Sequence, residues 1–167
     1  DNIEAHKFST GAEIIDAMGN TIQAFVAGIG TGGTIMGVAE AFREAGVTAR
    51  AVGAGDEYKR VREIAATSLT LIEPVAFPVA PDVSDDDAAL EVTTEELRAW
   101  RDAPGNPAAL ANAGVVFALT TSGLKGMSQF APNVGKAVAR GWSADAALAS
   151  VTTVPARLLG LDSRLGT

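Results

Sequence analysis

The chain has 167 residues, 47% hydrophobic and 5% aromatic, with no cysteine, one histidine and a formal net charge of −7. This describes one domain with a core of small and branched side chains; the acidic balance argues against nucleic acid as a partner, which asks for clustered Lys and Arg. Disulfides, thiolate metal sites and a multi-histidine metal site within one chain are excluded by composition, and no apolar run approaches the roughly 20 residues of a membrane span.

No signal peptide opens the chain, so a soluble, cytoplasmic protein with no membrane partner is expected. Asp1 begins in what reads as the middle of an element. Asn2 to Met18 reads as a helical region broken near Ser9-Thr10-Gly11, with Gly19-Asn20 as its stop. Ile22 to Ala27 predicts a short buried strand. Gly28 to Thr34 is a glycine-rich turn. Ile35, Val38, Ala39 and Phe42 recur at i, i+3, i+4 and i+7, one apolar helix face ended by Gly46. Ala49 to Ala54 is a second strand, closed by Gly55-Asp56.

The pattern then repeats. Tyr58 to Thr67 predicts a helix and Leu69 to Phe77 a third strand, followed by a polar loop from Pro78 to Asp87. Thr93 with Glu96 is a capping box, and Leu97 and Trp100 follow on one face. Asn106-Pro107 reads as an N-cap with proline in the first turn, opening a helix over 108–113. Val115 to Leu119 is a fourth strand. Phe130 to Val138 is a helix stopped by Gly141; Ser143 caps another, and Pro155 to Leu159 is a last turn. Trp100 and Trp142 read as helix-packing residues.

Strands alternating with helices mean α/β: a parallel sheet of about four strands with flanking helices, three-layer or half-barrel-like, in a single domain over 1–167. Unclosed sheet edges make a homodimer one expectation.

The candidate binding residues are Gly30, Thr31, Gly32, Gly33 and Thr34. Glycines let the backbone approach an anion closely, and the N–H groups of a helix start carry partial positive charge. A tight strand–helix crossing explains the same residues without a ligand. Asp56, with Glu57, follows a strand end, and Thr121 and Ser122, with Thr120 and Lys125, follow the fourth strand, so both sets are rim candidates. Helix-dipole pairing and a plain turn are the structural alternatives. Asp85-Asp86-Asp87 fits a solvated loop or a helix cap better than a cation site, and His6 fits a surface or capping role better than catalysis. No catalytic constellation and no metal-ligand set can be assembled.

Two resemblances follow from longer stretches. Asn2-Ile3-Glu4-Ala5-His6, Thr10-Gly11-Ala12-Glu13-Ile14, and Phe25 to Thr34 with Gly37 resemble the cysteine synthase family of pyridoxal-phosphate enzymes, over about the first 50 residues. The resemblance implies the tryptophan-synthase-β fold and a phosphate held by Gly30 to Thr34. The small anionic ligand implied is pyridoxal phosphate or phosphate. Lys7, Lys59, Lys125 and Lys136 do not stand in that family's Schiff-base motif.

Gly53 to Tyr58, Pro74 to Pro78, Asn106 to Val115, Asn133 to Gly141 and Thr152 to Leu161 resemble the C-terminal barrel half of imidazolonepropionase-like amidohydrolases. That resemblance implies partial (β/α)8 architecture over 51–167, here without the family's metal histidines or its late-strand aspartate. The expectation is a chimeric or engineered α/β scaffold, joined near Arg50 to Glu57, that keeps a phosphate-binding loop without a complete active site. The alternative is an enzyme: a lyase or transferase related to cysteine synthase, or a residual hydrolase.

Overall fold

The structure, a computed structural model, describes residues 2–22, 25, 33–47 and 50–166. Of the predicted strand Ile22–Ala27 only Ile22 and Phe25 are among them, and the loop Gly28–Gly32 lies outside them.

The first helical region is not broken. Helix α1 (Asn2–His6) runs through a π-helical turn (Lys7–Gly11) into α2 (Ala12–Met18). The expected break at Ser9-Thr10-Gly11 is instead a widening of the helix, with Gly11 kept in right-handed helical geometry. A Cβ on Gly11 would stand 2.5 Å from the Ala41 Cβ, so glycine here serves close helix packing, not a stop. Helix α3 (Gly33–Glu44) buries Met36, Val38, Ala39 and Phe42 along one face, much as the spacing predicts. Phe42 meets Phe25 edge-on, with ring centroids 6.1 Å apart. Gly46 then takes φ 71°, a left-handed turn that suits glycine.

The sheet has three parallel strands among the described residues, in the order β1 (Arg50–Val52), β2 (Thr70–Pro74), β3 (Phe117–Thr120). In register, Ala51 faces Leu71 and Leu71 faces Phe117. Strand β1 is shorter than its apolar run. The Gly53 N–H still reaches the Ile72 carbonyl, but the N–H groups of Ala54 and Gly55 are taken by the Glu57 side chain, which turns the chain out of the sheet. On the outer edge of β3, the Leu119 N–H is taken by the Ser150 carbonyl.

Helix α4 (Val61–Thr67) returns the chain from β1 to β2, after a 3-10 turn over Glu57–Arg60. The polar loop after β2 contains an unpredicted short helix, α5 (Asp86–Glu91), whose N-cap Asp85 accepts from the Ala88 N–H. Asp86 and Asp87 fall in its first turn, so the acidic run is a helix start. The capping box of Thr93 and Glu96 opens α6 (Thr94–Asp102) as predicted, but Trp100 on that helix is 43% exposed and does not pack as expected. Helix α7 (Asn106–Asn112) returns the chain to β3. Helices α8 (Phe130–Ala139), α9 (Ala144–Ala149, capped by Ser143) and α10 (Thr153–Leu158) complete the cover.

The core lies between β2, β3 and helices α7 to α9. Leu71, Leu110, Phe117 and Trp142 are its large members, with Ala108, Ala137 and Ala147 filling between them. Trp142 stacks on Phe117 at 5.4 Å between centroids. With so few aromatic residues in the chain, this one stack supplies much of the core's bulk.

Candidate functional site

Two polar constellations sit where the chain turns from strand to helix. The first joins the N-terminal helices to the start of α3. A Cβ on Gly37 would stand 2.8 Å from both the His6 Cβ and the Lys7 nitrogen, and one on Gly33 would strike the Asn2 side chain. These two glycines, four apart on one face of α3, let α1 lie backbone to backbone on it. The close approach carries His6 over the first turn of α3. His6 Nε2 lies 3.0 Å from Thr34 Oγ1, and His6 Nδ1 lies 3.1 Å from Thr10 Oγ1. All three side chains are half-buried. His6 is therefore neither a cap nor a free surface residue.

The second constellation is a buried carboxyl pair at the carboxyl ends of β1 and β2. Glu73 is completely buried, Glu57 nearly so, and Asn106 lies between them. The Asn106 amide donates to Glu57 Oε2 at 2.8 Å and to Glu73 Oε1 at 2.6 Å, while its oxygen accepts the Tyr58 N–H at 2.7 Å. Asn106 is thus not the predicted N-cap. It lies inside α7, after a 3-10 turn over Ala103–Gly105, and its side chain points into the protein. Among the described residues, Glu73 Oε2 meets no N–H or hydroxyl donor. A Cβ on Gly53 would collide with that oxygen, so glycine there makes room for the pair.

Burial first, then hydrogen bonding with Glu57 and the Glu57 charge, pushes the Glu73 carboxyl up to about 10. Burial also acts to raise Glu57, but the Glu73 carboxyl, the Ala54 N–H and Asn106 outweigh it and hold Glu57 below the usual carboxylate range. Glu73 is therefore the protonated acid of the pair and Glu57 its carboxylate. A cleft of about 570 Å³ lies beside the pair, bordered by Met36, Gly53, Asp56, Glu57, Tyr58 and Lys59.

Of the candidates for an anion cradle, Gly33 and Thr34 form the first turn of α3, whereas Gly30, Thr31 and Gly32 lie outside the described residues. Asp56 borders the cleft but pairs with Lys59 at 2.9 Å, both side chains about half exposed. Thr121 and Ser122 are exposed, and the Ser122 N–H bonds the Thr120 hydroxyl as in an ordinary turn. Glu73 was missed because it sits mid-strand in an apolar run, and Asn106 because it imitates a cap. A carboxylate inside Leu71-Ile72-Glu73-Pro74-Val75 was the available signal. Among the described residues no group of three or more His, Cys, Asp or Glu could hold a metal ion, and no helix is long and apolar enough to cross a membrane.

The parallel α/β layout and the glycine-lined start of α3 define a class that comparison makes specific. A family described as pyridoxal-phosphate dependent enzyme matches residues 1–105. The chain belongs to that family. It is 37% identical over 79 residues to a cysteine synthase of Staphylococcus aureus, covering 47% of this chain and 20% of that protein. Cysteine synthase 2 of Neurospora crassa is 54% identical over 43 residues, covering 26% of this chain and 9% of that one. Cysteine synthase B of Pseudomonas aeruginosa is 47% identical over 53 residues, covering 32% of this chain and 18% of that one. The matches thus span a fifth or less of these relatives' length.

In fold, the chain is similar to an amidohydrolase from Thermotoga maritima, with TM-score 0.53 and 17% identity, over 96% of this chain and 45% of that one. Both resemblances expected from the sequence are found. The family match runs on to residue 105, and the fold likeness covers nearly the whole chain.

The described residues fit one end of the family's cofactor. Gly33 and Thr34 at the start of a 12-residue helix suit a phosphate. The lysines do not suit the imine end. Lys7 is held to Glu44 at 2.6 Å and Glu40 at 3.7 Å, and the hydrogen bond it donates to Glu44 raises its pKa, the reverse of what an amine nucleophile needs. Lys59 is tied to Asp56, and Lys125 and Lys136 are exposed.

Proposed function

We propose that this chain is a phosphate-binding α/β scaffold of pyridoxal-phosphate-enzyme type, joined to an amidohydrolase-like βα segment and without a complete active site of its own. The observation that carries the reading is the start of α3. Family membership, the Gly33/Gly37 approach and the Thr34 hydroxyl fall together there, while every lysine is exposed or held by a carboxylate. Gly30 to Thr34 supply backbone N–H groups and hydroxyls to the anion, and the helix start adds its partial positive charge. The ligand is inorganic phosphate or the phosphate of pyridoxal phosphate. Bound in a complete enzyme of the family, that cofactor supplies an electron sink for carbanion chemistry. The reading assigns no such step to this chain.

The test is calorimetric titration with phosphate and with pyridoxal phosphate, followed by borohydride and intact mass. Expected is saturable binding of both ligands, weakened by Gly32→Leu, with no borohydride-fixed adduct at a single lysine. A stoichiometric adduct on one lysine overturns the scaffold reading in favour of a lyase or transferase. Absence of binding overturns the cradle.

A further inference from the structure

The single histidine in the chain lies 3.0 Å through its Nε2 from the Thr34 hydroxyl, joining α1 to the first turn of α3. We infer that His6 is the positioning residue of the phosphate cradle: an anion at the start of α3 draws the Thr34 hydroxyl proton toward itself and thereby fixes the ring proton of His6 on Nε2. This rests on the phosphate-binding reading above and adds to it the group that presets the donor.

The argument is a count of protons along Thr10–His6–Thr34. A hydroxyl has one proton to donate, and a neutral imidazole has one N–H and one bare nitrogen. The two contacts, 3.1 Å at Nδ1 and 3.0 Å at Nε2, run in one of two directions. With the proton on Nδ1, the ring donates to Thr10, and Thr34 spends its own proton on the bare Nε2. With the proton on Nε2, Thr10 donates to Nδ1, the ring donates to Thr34 Oγ1, and the Thr34 proton is free to reach an anion. Phosphate accepts hydrogen bonds strongly, so it selects the second direction. The proton choice on one ring nitrogen is set by the bond made at the other, so Thr10 is the partner that keeps the second direction available.

The geometry holding His6 there is specific. The ring is carried by α1, which touches α3 backbone to backbone at Gly37, so it cannot drift from Thr34 without lifting the helix. The π-turn over Lys7–Gly11 places Thr10, four residues on, against the other side of the same ring. Neither contact is needed for helix packing: an alanine at position 6 would keep the Cβ that meets Gly37.

Having a single histidine makes the test clean. The protein is labelled at the histidine ring nitrogens and titrated with inorganic phosphate in buffer of about pH 8.5, where a free imidazole is neutral. Sodium chloride at matched ionic strength is the control. Expected is a shift of Nε2 to the protonated, pyrrole-like position and of Nδ1 to the bare, pyridine-like one as phosphate saturates, with no change in chloride. His6→Ala lowers phosphate affinity about tenfold, a fold-change equal to one ordinary hydrogen bond. His6→Gln, which can still present an N–H, recovers most of it. Phosphate that binds with the ring nitrogens unmoved overturns the role of His6 and leaves the cradle standing. Phosphate that does not bind the wild-type protein overturns both.

Discussion

The Asn106 side-chain amide donates 2.6 Å to Glu73 Oε1 and, from the same nitrogen, 2.8 Å to Glu57 Oε2. One neutral group thus bridges two buried carboxyls from separate elements, and its oxygen holds the Tyr58 N–H that follows Glu57. Removing it leaves both carboxyl groups short of a donor inside the protein. Asn106→Ala is expected to cost about 3 kcal/mol of stability, the usual scale for stranding a buried charged group. Asn106→Asp is expected to cost at least as much, because a third carboxyl replaces the bridge. Urea unfolding followed by tryptophan fluorescence measures both; a loss under about 1 kcal/mol for the alanine variant, that of a solvated hydrogen bond, would contradict the bridge.

The same pair sets how stability depends on pH. In the unfolded chain Glu73 ionises near its ordinary 4.5, and in the folded protein near 10. Between those values the folded state holds the extra proton. Its stability therefore falls as pH rises across that window, with a limiting slope of about 1.4 kcal/mol per pH unit for one proton. Glu57 has the opposite sign. Its folded value is depressed, so its contribution is present above the ordinary carboxylate range and is lost as pH falls through the folded value. Glu73→Gln keeps a donor beside Glu57 and removes the titrating group. It is expected to flatten the alkaline decline and leave the acid limb in place. An unchanged alkaline limb in that variant would show that Glu73 is not the proton holder.

How far these features were legible from the sequence varies with the physics behind them. The apolar period of 35–42 and the Thr93/Glu96 box are local signals, and α3 and α6 formed where they pointed. Strand β1 was overestimated because Glu57 captures the N–H groups of Ala54 and Gly55, a competition between side chain and ladder that apolar runs do not reveal. Asn106 was misassigned for a related reason: before a proline, a cap and a buried bridge have the same local sequence. The glycine loop was readable only as a shape. What gives Thr34 its partner is the contact between α1 and α3, and nothing near Thr34 in sequence announces His6, 28 residues earlier.

That contact is itself testable. A methyl group on Gly37 would press into the Ile3 carbonyl and stand 2.8 Å from the Lys7 nitrogen, both backbone atoms that cannot swing aside. Gly37→Ala gains helix propensity, about 1 kcal/mol in a free helix. Overpacking at the crossing outweighs that gain, so a net loss of about 1–2 kcal/mol is expected. Lifting α1 also carries His6 away from Thr34, so phosphate affinity should fall in the same variant. Gly46→Ala offers the contrast. A Cβ there meets nothing, but φ is 71°, so stability should drop through backbone strain while phosphate affinity holds. Equal affinity in Gly37→Ala and wild type would separate the helix contact from the cradle.

The Trp142 stack separates packing from polarity in the core. Trp142 is 3% exposed, lies 5.4 Å from Phe117 between ring centroids, and among the described residues its indole N–H meets no acceptor. A buried donor without a partner is a cost, so the indole contributes through its area and its stacking alone. Trp142→Phe keeps the stack and discards the stranded N–H. Its loss should stay below about 1.5 kcal/mol, the cost of the small space the lesser ring leaves being partly offset by removal of the unpartnered N–H. Trp142→Ala should cost about 3–5 kcal/mol, because the small alanines around it cannot collapse into the space. Thermal unfolding followed by circular dichroism reads both without relying on the removed fluorophore. A phenylalanine variant as damaged as the alanine one would mean that the indole N–H finds an acceptor, a bound water being the simplest, and that the stack is not what holds β3 to α8 and α9.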